Sequence, residues 1–182
     1  TNYIYSTDLK KWFIHENEFI PLPKRKCEKT KEFVIQTRFT HDFNDFEDIT
    51  EGEFYLSPIV TVKFKSKKQT SSTLIDLHNF KKLYSKFIFN IKRNGFSTLI
   101  IDEFSYHKFL VWNLGDKVRF IIQDYCGWGD VKILFDAIID KDLFINTVEN
   151  VARKIAKKDK ILVNKMYKIY KNKFNKDFKP KY

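Results

Sequence analysis

Two aspartates and a lysine in the second half of the chain are of the types that metal-assisted phosphate chemistry requires. Asp130 lies fourteen residues after Asp116, and Lys132 follows Asp130 after one intervening residue. In such an arrangement two carboxylates hold a Mg²⁺ ion, and the lysine stabilises the negative charge of an attacked phosphate. Placed on adjacent strands, these residues would predict a metal-dependent hydrolytic site.

The spacing of these three residues is similar to that of restriction-type nucleases, but it is a permissive pattern. Charged residues make up 31% of the chain, so a match by chance is expected. Asp116 and Asp130 also lie in predicted turns, where aspartate is favoured because its side chain bonds to nearby backbone groups. We therefore interpret them as turn residues and keep a metal-dependent nuclease as the least favoured alternative.

Other side chains that carry chemistry are scattered along the sequence. The histidines include no i, i+4 pair and the cysteines match no metal-ligand spacing, so we expect no bound metal and two reduced thiols. Asp102 and Glu103 are neighbours on a predicted strand, which turns them to opposite faces. Without a phosphate-binding glycine loop or a nucleophile motif, we expect no cofactor and no enzymatic activity. The residues in question are His15, His41, His78, His107, Cys27 and Cys126.

The net charge of +11 is concentrated towards the end of the sequence. Residues 152–182 contain 12 lysines and arginines against 2 acidic residues, whereas residues 1–151 contain 22 against 21. Lysines mixed with aromatic residues on a predicted helix are typical of nucleic-acid binding. They also occur where an amphipathic helix only solvates its outer face, the interpretation that we favour. The candidate nucleic-acid-binding residues are Lys160, Lys165, Lys168, Lys171 and Lys173.

An acidic segment at residues 41–53 contains six carboxylates and two phenylalanines. Such a segment repels nucleic acid and attracts a basic protein surface, and its aromatic side chains could anchor a contact. A solvated loop explains the same composition equally well. The candidate partner-binding residues of this segment are Asp42, Phe43, Asp45, Phe46, Glu47, Asp48, Glu51 and Glu53.

The order of predicted elements is strands, helix, strands, helices, which indicates an α+β fold with mostly antiparallel pairing. Residues 97–140 read as an antiparallel meander, because short apolar runs alternate with turn residues. One central helix is predicted to start near Phe80 and to end at Gly95.

Two further helices are predicted at the end of the sequence, and Asp140 is expected to cap the first with its carboxylate. Residues 21–31 contain two prolines and are predicted to form a loop. We expect a single domain over residues 1–182, in which residues 157–182 form a basic helix or tail.

Residues 115–155 resemble the C-terminal half of the members of one protein family; their sequence is GDKVRFIIQDYCGWGDVKILFDAIIDKDLFINTVENVARKI. These are the cytoplasmic immunity proteins paired with bacterial polymorphic toxins, including those of contact-dependent growth inhibition. In them, a strand ending in a QDY-like sequence leads through a short turn to a return strand and a helix. Immunity proteins against nuclease toxins tend to be acidic, whereas this chain is basic.

The resemblance implies a non-catalytic protein that binds a cognate toxin domain and occludes its active site, with a nuclease as the expected toxin. Aromatic anchors within a polar surround would hold such a complex. No apolar run approaches the roughly 20 residues that span a bilayer and no secretory stretch is present, so we expect a cytoplasmic protein without a membrane partner. The further toxin-binding candidates are Asp124, Tyr125, Trp128 and Asp130.

Overall fold

A five-stranded sheet forms the centre of the computed structural model, which describes residues 3–6, 11–14, 21–39, 59–76, 80, 88, 91, 95–101, 106–124, 131–175 and 177. Its strands are β3 (Glu28–Thr30), β7 (Phe96–Ile101), β8 (His107–Asn113), β9 (Lys117–Asp124) and β10 (Lys132–Asp140). In spatial order they run β3-β10-β9-β8-β7. The last four form the antiparallel meander predicted for residues 97–140.

A three-stranded antiparallel sheet packs against the first sheet. Its strands, in spatial order, are β4 (Phe33–Phe39), β5 (Ile59–Ser66) and β6 (Thr70–Asp76). Buried and more exposed side chains alternate along β4 and β5, because successive strand residues point to opposite faces. A separate antiparallel hairpin pairs β1 (Tyr3–Ser6) with β2 (Lys11–Ile14).

The main hydrophobic core lies between the two sheets and is rich in phenylalanine. Phe33 of β4 and Phe64 of β5 both contact Phe120 of β9, with ring centroids 6.1 and 5.4 Å apart. Phe120 also lies 5.3 Å from Phe144, which belongs to the following helix. Burial of each such side chain contributes about 1.5–3 kcal/mol, so this aromatic cluster fixes the two sheets and the helix as one core.

One long α-helix spans Lys141–Phe174, 34 residues, and we call it the long helix. The prediction of two separate helices over this region is therefore wrong. The first half packs on the core through Phe144, Val148, Val151 and Ile155. No helix among the described residues is long and apolar enough to cross a membrane.

Asp140 is the N-cap residue of the long helix, as predicted, but its carboxylate makes no capping hydrogen bond. The carboxylate instead accepts a hydrogen bond from Lys117 Nζ on β9. The Lys141 amide donates to the Asp116 carbonyl oxygen at 2.9 Å. The backbone of the turn before β9 therefore accepts a hydrogen bond from the first turn of the helix, a role that the sequence had predicted for the Asp140 carboxylate.

The loop predicted for residues 21–31 is only partly a loop, because β3 lies within it. This short strand pairs in parallel with β10, with Ala137 opposite Glu28. The pairing extends the meander by one strand. The sequence of this strand, Glu-Lys-Thr, contains no apolar pattern that would have predicted it.

The predicted central helix is represented by Phe80, Ile88 and Ile91, which are helical and buried in the main core. Gly95 has a φ of +73°, in the left-handed region where glycine is favoured, and β7 begins at the next residue. The predicted stop signal at Gly95 is confirmed in this respect.

Candidate interaction surface

The register of β9 and β10 separates the residues on which the nuclease alternative depends. Lys117 of β9 faces Asp140 of β10, and Asp124 at the other end of β9 faces Lys132. Asp116 precedes Lys117, so it lies eight residues, or roughly 26 Å, from the level of Lys132 along the strands, at about 3.3 Å per residue. The predicted juxtaposition of Asp116 and Lys132 is therefore wrong, and Asp130 lies outside the described residues. No group of three or more His, Cys, Asp or Glu side chains in the described part of the chain could hold a metal ion.

His107, Asp124 and Lys132 form a row across three strands at one end of the five-stranded sheet. His107 Nδ1 lies 2.8 Å from Thr73 Oγ1 on β6, a hydrogen bond that joins the two sheets. Burial lowers the pKa of His107, and the charge of Asp124 opposes this effect. The row contains the predicted binding residue Asp124, but its histidine is engaged in a structural contact.

A buried ion pair joins β9 to β10 on the face of the sheet that points away from the main core. The side chains of Arg119 and Asp136 are 4% and 3% exposed. Arg119 Nε and Nη2 donate to the two oxygens of Asp136 at 3.0 and 2.9 Å, and the guanidinium also donates to the carbonyl oxygens of Pro23 and Arg25. Arg25 adds a second ion pair to Asp136 at 3.1 Å.

Sequence reasoning missed this pair, although a signal was present. Arg119 stands between Val118 and Phe120, and Asp136 between Phe135 and Ala137. A single charged residue inside each of two adjacent apolar strands is costly unless the two are paired. The pair therefore holds the proline-containing loop onto the sheet.

Cys27 lies next to this pair and is a free cysteine, in agreement with the predicted thiol. Burial raises the pKa of Cys27, and Asp136 adds to the rise, while Arg119, Arg25 and Lys29 oppose it. The thiol is therefore held in its protonated, less nucleophilic form.

The most distinctive surface is a row of exposed lysines along one side of the long helix. At about 100° per residue, seven lysines fall within an arc of about 160°, whose centre lies about 140° around the helix from Phe144, Val148 and Ile155. The row extends roughly 25 Å along the helix axis, at about 1.5 Å per residue. We call it the lysine face; it comprises Lys154, Lys157, Lys158, Lys160, Lys165, Lys168 and Lys171, all exposed.

The lysine face contains four of the five predicted nucleic-acid-binding lysines. Lys173 is the exception, because its position around the helix coincides with that of Ile155, on the core side. Its ammonium lies 5.7 Å from the ring of Phe174. Lys171 is paired at 3.0 Å with Asp177, and both side chains are well exposed. Lys173, the fifth lysine of the predicted set, is therefore on a different side of the helix from the lysine face.

A groove of about 380 Å³ lies between the lysine face and the end of β4. Lys158 Nζ lies 4.7 Å from the centre of the Phe39 ring, a cation–π contact that borders the groove. The middle of the lysine face also carries an exposed apolar side chain, Ile161, which is 48% exposed. The groove is lined by Thr37, Phe39, Lys154, Lys157, Lys158 and Ile161.

Most of the other predicted site residues lie outside the described residues, and their predicted roles stay predictions. These are Asp42, Phe43, Asp45, Phe46, Glu47, Asp48, Glu51, Glu53, Tyr125, Trp128 and Asp130, together with His15, His41, His78, Asp102, Glu103 and Cys126.

Comparison of the chain with known protein families, curated proteins and solved structures found no match. The functional argument therefore depends on the geometry and charge of the chain itself. A clustered set of exposed cations beside an apolar groove can bind an anionic macromolecule.

Proposed function

We propose that this protein acts by binding and not by catalysis, as an immunity protein that neutralises a cognate bacterial toxin domain by covering its active site. The observation that carries the proposal is the lysine face, which we propose as a binding surface in place of the initial interpretation that these lysines only solvate the outer face of a helix. Seven exposed cations along one side of a single helix form a surface that fits a partner rich in carboxylates.

The arrangement of the region that resembles immunity proteins supports this proposal. Residues 115–155 contain β9, β10 and the first half of the long helix, in the order strand, strand, helix. This is the order that the resemblance implies. The aromatic core holds these elements together, and the lysine face continues from this first half of the long helix towards its C-terminal end.

Inhibition would follow from steric occlusion of the toxin. Opposite charges on the two proteins speed their encounter and exclude partners of the wrong charge, while buried apolar contacts set the lifetime of the complex. A phosphate-binding surface on a nuclease is itself basic and would repel the lysine face. The contact on the toxin is therefore an acidic region next to its active site, and a nuclease activity of the toxin stays a prediction.

A second candidate function is nucleic-acid binding by the same lysines. It is favoured by their number and by their spacing over roughly 25 Å, which could follow a phosphate backbone. If all seven engaged phosphates of a single strand, the slope of log K against log salt would be about −5. A slope near zero, measured by fluorescence anisotropy with a single-stranded RNA, would eliminate this candidate.

The test of the proposed function is protection of bacterial cells. The toxin is the variable C-terminal domain of the large secreted protein expected to be encoded immediately upstream. Co-expression of this chain should restore growth of cells that express that domain. Cells that die at the same rate with and without the chain would contradict the proposal.

A charge-reversal pair provides the control for this protection. Lys157→Glu, Lys165→Glu and Lys168→Glu on the lysine face, combined, should abolish protection. Lys24→Glu, Lys67→Glu and Lys173→Glu, combined, make the same change in net charge at exposed lysines elsewhere and should preserve it. Equal loss in both variants would show that the total charge matters and the lysine face does not.

A further inference from the structure

The groove beside β4 combines an apolar floor with a charged rim. Phe39 and Ile161 supply apolar surface, and the methylene stems of Lys154, Lys157 and Lys158 extend it. Lys154 and Lys157 are exposed at the opening, and the ammonium group of Lys158 lies over the Phe39 ring. An apolar centre within a polar rim is the anatomy of protein–protein contact sites.

The size of the groove suits one large side chain with its neighbours. Its volume of about 380 Å³ lies near the lower end of the range of roughly 300–1,000 Å³ that is typical of ligand pockets. A shallow groove of this kind accepts an anchor residue from a partner chain. Ile161 supports this interpretation, because it is exposed and lines the same groove as Phe39, so that two apolar side chains share one opening.

The aromatic ring in the groove is poorly placed to stack on a nucleic-acid base. The Lys158 ammonium lies over the Phe39 ring at 4.7 Å, so a base could stack flat on that face only by displacing it, whereas an apolar side chain can pack against Ile161 without covering that face. Phe39 also packs against the main core, which takes up part of its remaining surface. A nucleic acid bound only by contacts between phosphates and lysines would make no use of the apolar side chain of Ile161 in its binding.

We infer that this groove is the anchor site for an acidic protein segment of the toxin domain that carries one large apolar side chain. The carboxylates of that segment pair with the lysine face, and its apolar side chain packs against Ile161 and the methylene stems of the lysines beside Phe39. The inference rests on the proposed function and adds the chemistry of the contact. Charge complementarity identifies the segment as acidic, and the apolar floor identifies its anchor.

The first test compares two isoleucines of similar exposure. Ile161 is 48% exposed in the groove, and Ile100 is 45% exposed on β7, on the sheet face away from the main core. Ile161→Ala should weaken binding of the purified toxin domain about tenfold, the effect of losing an interface anchor. Ile100→Ala should leave the dissociation constant unchanged. Because both side chains are exposed, both variants should fold normally, which circular dichroism checks.

The outcomes separate the inference from the proposed function. If the wild-type chain binds and inhibits the toxin but Ile161→Ala binds equally well, the groove inference is wrong and the proposed function stands. If the wild-type chain neither binds nor inhibits the toxin, both are wrong.

A second test uses probes that do not depend on the toxin. A short fluorescein-labelled peptide of glutamates and aspartates around one tryptophan should bind more tightly than the same peptide with glycine in place of tryptophan. The difference should vanish in the Ile161→Ala protein. Equal binding of both peptides, or a single-stranded RNA that binds more tightly than either peptide and ignores Ile161→Ala, would overturn the inference.

Discussion

At the scale of single residues, the buried charges of this protein hold segments of the chain together. Arg119 and Asp136 satisfy each other and bind the backbone of the proline-containing loop. Glu28, on the edge strand β3, also joins separate segments of the chain. It accepts hydrogen bonds from Ser66 Oγ at 2.6 Å, from Gln69 Nε2 at 2.7 Å and from the Lys68 amide at 3.1 Å, which fastens the β5–β6 turn to β3.

Breaking the buried pair should destabilise the protein strongly. Arg119→Met leaves the Asp136 carboxylate buried beside only one cation, Arg25, so we expect a loss of about 3–5 kcal/mol in the free energy of unfolding. Urea denaturation measures this loss. The matched control is Lys117→Met. Lys117 lies on the same strand as Arg119 and forms a more exposed ion pair with Asp140 of β10, so its loss should have a much smaller effect. Equal losses in the two variants would contradict the structural role of Arg119.

Glu28 should make stability depend on pH in the acidic range. Burial alone would raise the pKa of Glu28, but the hydrogen bonds from Ser66, Gln69 and Lys68 together lower it below its ordinary value. A carboxylate with a lowered folded-state pKa stabilises the fold above its unfolded pKa of about 4.3 and loses this contribution as the pH falls through the folded value.

We therefore expect Glu28→Gln to be less stable than the wild type at neutral pH, with the difference shrinking below about pH 4. Urea denaturation at a series of pH values measures it. A difference that stays constant down to about pH 3 would show that the charge of Glu28 contributes nothing.

At the scale of elements, the long helix is the feature that sequence reasoning divided wrongly. The two predicted apolar stripes share one phase, because Ile155 and Leu162 are seven residues apart and seven residues shift the helix face by only about 20°. No glycine or proline stands between Lys141 and Phe174. The phase and the missing breakers together predict a single helix. A charged run separates the two apolar stripes after Ile155, but it does not end a helix, because lysine is a good helix former.

Replacement by glycine should lower the stability of the protein in the middle of this helix but not at its C-terminal end. Ala156 is an exposed interior residue, and replacing it by glycine should cost about 1 kcal/mol. Asn175 is the C-cap residue with a left-handed φ of 51°, a conformation that glycine adopts without strain.

Asn175→Gly should therefore leave the free energy of unfolding nearly unchanged, while Ala156→Gly lowers it. Unfolding followed by far-ultraviolet circular dichroism gives both values. A helix that in solution ends before Ala156 would show no loss for Ala156→Gly.

At the scale of the whole molecule, local patterns predicted the meander but not how the sheets assemble. Alternating apolar runs and the turn at Gly115, which has a φ of +100°, are local signals for β7 to β10. The parallel addition of β3 and the packing of the second sheet depend on contacts between residues far apart in sequence. A three-residue strand without an apolar pattern carries no signal of its own.

The candidate site was predictable only in part, for the same reason. The sequence identified most lysines of the lysine face, because composition and helical period are local properties. The groove requires Thr37 and Phe39 to lie beside Lys154 and Ile161, a contact between β4 and a helix more than a hundred residues later. Only the folded chain brings these residues together.

The most direct test of the central claim is titration of the purified toxin domain with this protein while the toxin's own activity is followed. Because a surface-covering inhibitor binds tightly and is not consumed, toxin activity should fall linearly to zero at one protein per toxin domain. The variant with glutamates at Lys157, Lys165 and Lys168 should shift or abolish this end point. Toxin activity that is unchanged in excess protein, or a protein that itself converts the substrate, would contradict the account.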